Sequence, residues 1–395
     1  MPGGPPDFRG GPLTGRDRPA ARFTAWPGAQ AGSVHDPAHS DTTLPDMRPE
    51  PLRPGDLVAL VSPAGPVRPE QAEGAARVLR GWGLRTRLGP HALGRRDFLA
   101  GTDDERLADL NDALRDPEVR GVICLRGGYG TQRIADRLDF EAVRADPKLL
   151  MGFSDITALH AALWCETGLA TVHGPTGASL PDSAEAARRA LMTSEPITLT
   201  GEKPTGAAPA VERGLAVASA ERGVAVAGAE RGVAVAGTER GVAVSGTLLG
   251  RAVSGVLLGG NLTMLASNVG TPHQLDLRGA ILLLEETGEA PYRVDRMLVQ
   301  LERSGSLDGL AGIVLGRFLP REPHEVIAEH VERLGVPVLH GLKIGHDGPQ
   351  AAVGLGVPAH LDPEAGTLTV QSACSPADPG RRSSATAAPP PAAGR

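Results

Sequence analysis

Apolar positions along the chain fall into short runs separated by amphipathic stretches. Leu57 to Val61 is a five-residue apolar run, too short for a helix, and reads as a buried strand. Ala72, Ala75, Ala76 and Leu79 then recur at helical spacing behind Pro69, which predicts a helix over 69–81. Thr102 and Glu105 form a capping box ahead of Leu107, Leu110 and Leu114, which share one face. Val122 to Leu125 reads as a strand, the stretch around Ile134 to Leu138 as helical, and Leu149 to Met151 as a further strand. Ile156, Leu159, Leu163 and Trp164 supply the next helix, stopped by Gly168. Strand alternating with helix predicts a parallel sheet wrapped by helices.

A second patterned block starts near Gly255. It contains a strand from Ala280 to Leu284 and a helix opened by Pro291, with Val294, Met297, Leu298 and Leu301 on its apolar face. Strands follow at 313–315 and 336–339, then a closing pair at 352–361 and 368–370 joined by the turn at 362–366. Between the blocks the pattern fades. Residues 178–211 drift into Pro, Ser, Ala and Glu, and a nine-residue unit, E-R-G-V-A-V-x-x-x, then recurs from Glu212, Glu221, Glu230 and Glu239. It lacks the Gly-Asp pattern of calcium-binding nonapeptides and reads as a duplication inserted in a linker. The expected organisation is a disordered leader over 1–46, an α/β domain over 50–178, and a linker over 179–249 carrying the repeat at 212–247. A second domain follows over 250–371 and a disordered tail over 372–395. Met47 offers an alternative start just before the first ordered segment.

Composition narrows the classes. Aromatic residues are only 3% of the chain, so cores must be built from Leu, Val, Ala and Ile. A net charge of −6 gives no electrostatic reason to expect nucleic acid or an anionic membrane as partner. Cys124, Cys165 and Cys374 have no CxxC spacing and fit a reducing compartment. No apolar run approaches the roughly 20 residues of a membrane span, and no apolar core of a signal peptide is visible. The expectation is a soluble cytoplasmic protein.

Candidate chemistry centres on Gly152-Phe-Ser154-Asp-Ile156, where a strand's carboxyl end meets a helix's amino end. Open α/β sheets place their sites at that edge. The arrangement is that of a nucleophile elbow, although the second glycine of G-x-S-x-G is missing. The alternative is that Ser154 or Asp155 simply caps the helix. Arg126-Gly-Gly-Tyr-Gly130 follows a strand in the same way. It lacks both the Lys-Ser/Thr of a phosphate loop and the G-x-G-x-x-G order. Its glycines suit close backbone approach to a reacting group, or only a tight turn.

These motifs, with Ser62-Pro63-Ala64, Leu99-Ala-Gly101, His173-Gly-Pro175, Gly259-Gly-Asn261-Leu262, Leu284-Glu285, Tyr292, Asp295-Arg296 and Gly345-His346, occur in the order found in the LD-carboxypeptidase family of serine peptidases. That family includes the microcin C immunity proteins, and the chain resembles it over roughly 50–178 and 250–371. The resemblance implies an amidotransferase-like parallel-sheet α/β domain followed by a smaller β-rich domain of swivelling type. It implies a Ser-His-Glu triad mapping onto Ser154, His346 and Glu285, with Glu286 as the rival acid because neighbouring strand-end residues point opposite ways. The oxyanion donors would be backbone N–H groups of Asp155 and of Gly127 or Gly128. Ser62, Asn261 and Arg296 are candidates for substrate contact. His160 is expected to be structural and to point away from the elbow, and His173 to line the cleft. No metal or other cofactor is implied. The expected substrate is a murein tetrapeptide (a muropeptide) losing its terminal D-alanine, and the family likeness suggests a homodimer. Two alternatives stand beside this reading: an immunity-type amidase acting on a peptidyl-nucleotide, and a non-catalytic two-lobed ligand-binding protein.

Overall fold

A computed structural model describes residues 47–202, 251–319 and 324–376. The leader, the repeat at 212–247 and most of the tail lie outside the described residues. The first sheet has six strands, five of them from the first half of the chain, in the order β11-β5-β4-β3-β1-β2. Its strands are β1 (Leu57–Val61), β2 (Arg85–Leu88), β3 (Val119–Cys124), β4 (Leu149–Gly152), β5 (Thr171–His173) and β11 (Val353–Leu355). The first five are mutually parallel and β11 runs antiparallel to β5. β1 and β4 are buried along their whole length, as strands covered on both faces by helices must be. Helix α1 (Pro69–Gly81) buries Ala72, Ala75, Ala76 and Leu79. Helix α2 (Asp103–Arg115) starts at the capping box, with Glu105 N–H donating to Thr102 Oγ1 and Thr102 N–H to Glu105 Oε2. The stretch around Ile134 is two short 3₁₀ turns rather than an α-helix.

The second sheet has seven strands in the order β10-β9-β8-β7-β12-β13-β6. They are β6 (Ile197–Thr200), β7 (Val253–Asn261), β8 (Ile281–Thr287), β9 (Gly312–Leu319), β10 (Val338–Leu339), β12 (Val357–Asp362) and β13 (Thr367–Val370). β7 to β10 are parallel, and β12, β13 and β6 close the sheet antiparallel. The sequence-based fold class, a parallel α/β sheet followed by a β-rich part, is the one observed.

Three further details differ from the sequence-based expectations. The apolar run at 352–361 is not one strand. It breaks at Gly356, which takes a left-handed φ of +74°, and a side chain there would begin 2.6 Å from the Trp164 ring. β11 therefore joins the first sheet and β12 the second. Residues taken as linker form an α-helix (Ala184–Met192) and β6, which pairs with β13. Ordered packing also continues past 371. Ala373 and Cys374 are buried, the Ser372 hydroxyl donates to Thr193 O, and Ser375 N–H donates to Pro49 O. These short segments carry too little periodicity to be recognised alone, and long-range pairing orders them. One buried cluster runs through both halves, from Val58, Leu60 and Met151 through Ala352, Val353 and Leu355 to Leu257, Leu283 and Val314.

Candidate active site

β4 ends at Gly152, and Ser154 opens a 3₁₀ turn (Ser154–Ile156) that runs into helix α3 (Thr157–Thr167). The left-handed residue of this turn is Ser154 itself, at φ +66°, and not Gly152. A non-glycine residue there costs about 1–2 kcal/mol and marks a conformation held by its surroundings. Asp155 provides part of that hold. Its buried carboxylate accepts from Thr131 N–H at 2.9 Å, and the Thr131 hydroxyl donates back to Asp155 O at 2.6 Å. The elbow is thereby stapled to the end of the Gly127–Gly130 loop. Burial pushes the Asp155 carboxyl above its ordinary value despite these bonds. At the start of the same loop, a side chain on Gly127 would begin 2.9 Å from Ser154 Cβ and 3.2 Å from Ser154 Oγ. Only glycine permits the backbone to approach the serine so closely.

β8 delivers the two glutamates, with a register irregularity between Leu284 and Glu286. Their side chains have different surroundings. Glu286 accepts from Asn261 Nδ2, Thr263 N–H, Thr263 Oγ1 and Thr287 N–H, which ties the strand end to the turn after β7. Burial raises its pKa. Glu285 is fully buried and accepts through Oε2 from His346 Nδ1 at 2.7 Å. Its Oε1 has no partner among the described residues. The other ring nitrogen, His346 Nε2, lies 3.1 Å from Ser154 Oγ. These contacts select the tautomer with the proton on Nδ1, leaving Nε2 to accept the serine proton. The acid, imidazole and hydroxyl thus form one hydrogen-bonded line across the two sheets.

Further residues, some within the motifs and some outside them, hold the imidazole and the loops around the site. Arg317 on β9 donates to His346 O at 3.4 Å, to Asp347 O, and to Pro349 O at 3.0 Å. Gly345 N–H donates to Gln350 Oε1, and the Phe153 ring lies 4.7 Å from the His346 ring. Arg106 is almost fully buried and donates to Pro63 O and Gly130 O, joining the turn after β1 to the glycine loop. Thr157 Oγ1 accepts from Asn261 N–H at 3.0 Å, linking the start of α3 to the end of β7. A lone arginine gives no periodic or motif signal, so neither Arg317 nor Arg106 was legible in the sequence.

The remaining candidates stand elsewhere or are already engaged. The Ser62 hydroxyl is buried and donates to Ala92 O at 2.6 Å. The Asn261 carboxamide caps the helix Leu262–Ser267 and donates to Glu286. Arg296 is exposed on the helix Pro291–Arg303, its guanidinium 5.4 Å from the Tyr292 ring centre. His160 does not point away from the elbow as expected. It donates from Nε2 to Gly152 O at 3.0 Å, directly beneath it. His173 is fully buried, with no partner for either ring nitrogen among the described residues. Burial lowers the pKa of His160 to about 4 and, helped by the neighbouring imidazoles, that of His173 to about 3.

A strand–turn–helix serine joined through histidine to a buried glutamate is the arrangement of a serine hydrolase. Family profiles make the assignment specific: the LD-carboxypeptidase N-terminal domain matches residues 58–174 and the LD-carboxypeptidase C-terminal domain residues 254–361. The chain belongs to the LD-carboxypeptidase family. A Streptomyces coelicolor protein, provisionally named a carboxypeptidase, is 42% identical over 84% of this chain and 98% of its own length. The probable murein peptide carboxypeptidase of Bacillus subtilis is 35% identical over 84% of this chain and 96% of its own. Among solved structures, the muramoyltetrapeptide carboxypeptidase of Oxalobacter formigenes superposes with a TM-score of 0.63 at 27% identity, covering 81% of this chain and 100% of that one. The Microcin C7 self-immunity protein superposes with a TM-score of 0.66 over 83% of this chain and 100% of that one; at 22% identity this likeness shows the fold alone.

Proposed function

We propose that the protein is a serine-type LD-carboxypeptidase that removes the terminal D-alanine from murein tetrapeptides by a Ser154–His346–Glu285 triad. Ser154 Oγ attacks the amide carbonyl while His346 Nε2 takes its proton. Glu285 holds the imidazole tautomer and stabilises the imidazolium. The oxyanion is received by backbone N–H groups of Asp155 and of Gly127 or Gly128. His346 then protonates the departing D-alanine, and water releases the acyl group by the same steps in reverse. The nucleophile belongs to the 50–178 block and the acid and base to the 250–371 block. The observation that supports this most is the unbroken line from Glu285 through His346 to Ser154.

The reading extends to a cytoplasmic homodimer that needs no metal, nucleic acid or membrane. Among the described residues no helix is long and apolar enough to cross a membrane. The relative named for murein peptides, at 35% identity, places this substrate ahead of the peptidyl-nucleotide alternative. A non-catalytic binding role leaves the alignment of the three groups without a purpose. The test is product analysis by mass spectrometry on free tetrapeptides. Loss of one D-alanine is expected, with the all-L analogue slower by about 100-fold in kcat/KM, which takes about 2.7 kcal/mol of differential transition-state binding. Equal rates on the two peptides would reject the assignment and put the amidase first.

A further inference from the structure

A carboxypeptidase differs from an endopeptidase in recognising a free carboxylate one residue beyond the scissile bond. An unpaired carboxylate is costly to take out of water, so the site needs a cation or several N–H donors near the serine. Neighbouring groups and the earlier candidates for substrate contact are committed elsewhere. The Ser62 hydroxyl bonds Ala92 O, Gly65 N–H donates to Gly127 O at 3.0 Å, and Arg296 stacks beside Tyr292 on an outer helix.

Arg126 is placed differently. It directly precedes Gly127, the residue whose backbone approaches Ser154. The point where a side chain on Gly65 would begin lies 2.9 Å from Gly127 O and 3.7 Å from Arg126 Nη1. The guanidinium and the glycine loop thus flank the same bare backbone. Arg126 is exposed, and Nη1 donates to Pro66 O at 2.8 Å, which anchors one corner of the fork. Among the described residues its Nε and Nη2 hydrogens have no partner. The Nε–H and the neighbouring Nη2–H form an edge that pairs side-on with a carboxylate. Tyr129 of the glycine loop packs edge to face at 5.5 Å against Phe98, which lies between β2 and α2 and whose carbonyl O is 3.5 Å from the same point on Gly65.

We propose that Arg126, held by Pro66 O against the glycine loop, binds the terminal carboxylate of the substrate and makes this site an exopeptidase. The proposal rests on the serine carboxypeptidase reading and adds the group that reads the chain end. It gives a role to the edge of the guanidinium that is left unpaired next to Gly127, the residue whose backbone approaches Ser154.

The experiment compares the tetrapeptide ending in D-alanine with the same peptide ending in D-alaninamide, using full-length enzyme, Arg126→Gln, Arg126→Lys and Lys343→Gln. Lys343 is an exposed cation three residues before His346. Wild type is expected to favour the acid by roughly 100-fold in kcat/KM. Arg126→Gln should lose about that factor on the acid while changing the amide by less than about threefold. Arg126→Lys should recover part of the loss, because a point charge replaces the fork. Labelling of Ser154 by a fluorophosphonate should proceed at the wild-type rate in all variants. An acid-over-amide ratio unchanged in Arg126→Gln overturns the proposal, as does its collapse in Lys343→Gln instead. Equal losses on both peptides with slowed labelling also overturn it, since Arg126 would then only shape the loop. A wild type that cleaves neither peptide shows instead that the carboxypeptidase reading itself has failed, and removes this proposal with it.

Discussion

Ser154 combines two burdens at one residue: a left-handed backbone and the reactive hydroxyl. Substitution separates them. Ser154→Ala should lower kcat by several orders of magnitude with the fold intact, and near-normal turnover would end the triad reading. Ser154→Gly should be equally inactive yet melt above Ser154→Ala, by the equivalent of about 1 kcal/mol, because glycine accepts positive φ freely. A glycine variant that melts below the alanine one would show that no strain is stored there. The two glutamates divide in the same way. Glu285→Gln should cost about 10³-fold or more in kcat, since the amide can hold the imidazole in the wrong tautomer. Glu286→Gln should leave kcat within about threefold and lower stability by about 1–3 kcal/mol, through the bonds it makes to Asn261 and Thr263. The reverse pattern would exchange their roles. In the sequence the pair was ambiguous because alternation says that they point apart and not which one faces the histidine.

At the scale of elements, the site depends on strands that end where loops can be clamped. β8 presents Glu285, and its neighbour β9 presents Arg317, whose guanidinium reaches three carbonyls of the loop carrying His346. Acid and base are therefore held by adjacent strands of one sheet, although the two residues are 61 positions apart in the chain. Arg317→Ala should lower kcat by about 10–100-fold with KM within about threefold, because it displaces the base without touching bound peptide. A loss confined to KM would show that Arg317 contacts substrate instead. The elbow is the complementary case. Its strand, turn and helix, including the stop at Gly168, were all legible from local pattern.

For the whole molecule, acid should be a specific weakness. His160 and His173 are buried under the elbow with pKa values of about 4 and about 3, against an ordinary value of 6.5. Between roughly pH 6.5 and 4 the unfolded chain binds protons at both positions and the folded chain does not. Stability from these groups is therefore complete above pH 6.5 and is lost as pH falls, by up to about 1.4 kcal/mol per pH unit for each histidine. Urea midpoints measured from pH 7 to 4 should drop, and His160→Gln should flatten the slope even if it lowers the starting value. A slope unchanged in that variant would place the acid sensitivity elsewhere. The two halves are also coupled through the shared core and through exchange of strands. β11 completes the first sheet and β6 the second, so neither sheet is finished by its own half of the chain.

Short apolar runs, helical spacing and a capping box sufficed for the alternating strands and helices and for the strand–turn–helix around Ser154, whereas Ser154, His346 and Glu285 were named as a group only through the family that the ordered motifs resemble. The runs, the spacing and the capping box are local signals: residues within one turn or strand of each other carry them. What lay beyond the sequence depends on contacts between distant segments. The break at Gly356, the strand at 197–200, the packing of Cys374, the clamp from Arg317, the opposite surroundings of Glu285 and Glu286, and the free edge of Arg126 are all decided only when segments distant in the chain pack together. The physical reason is that a side chain's partners are set by packing across the core, and no periodicity along the chain records them.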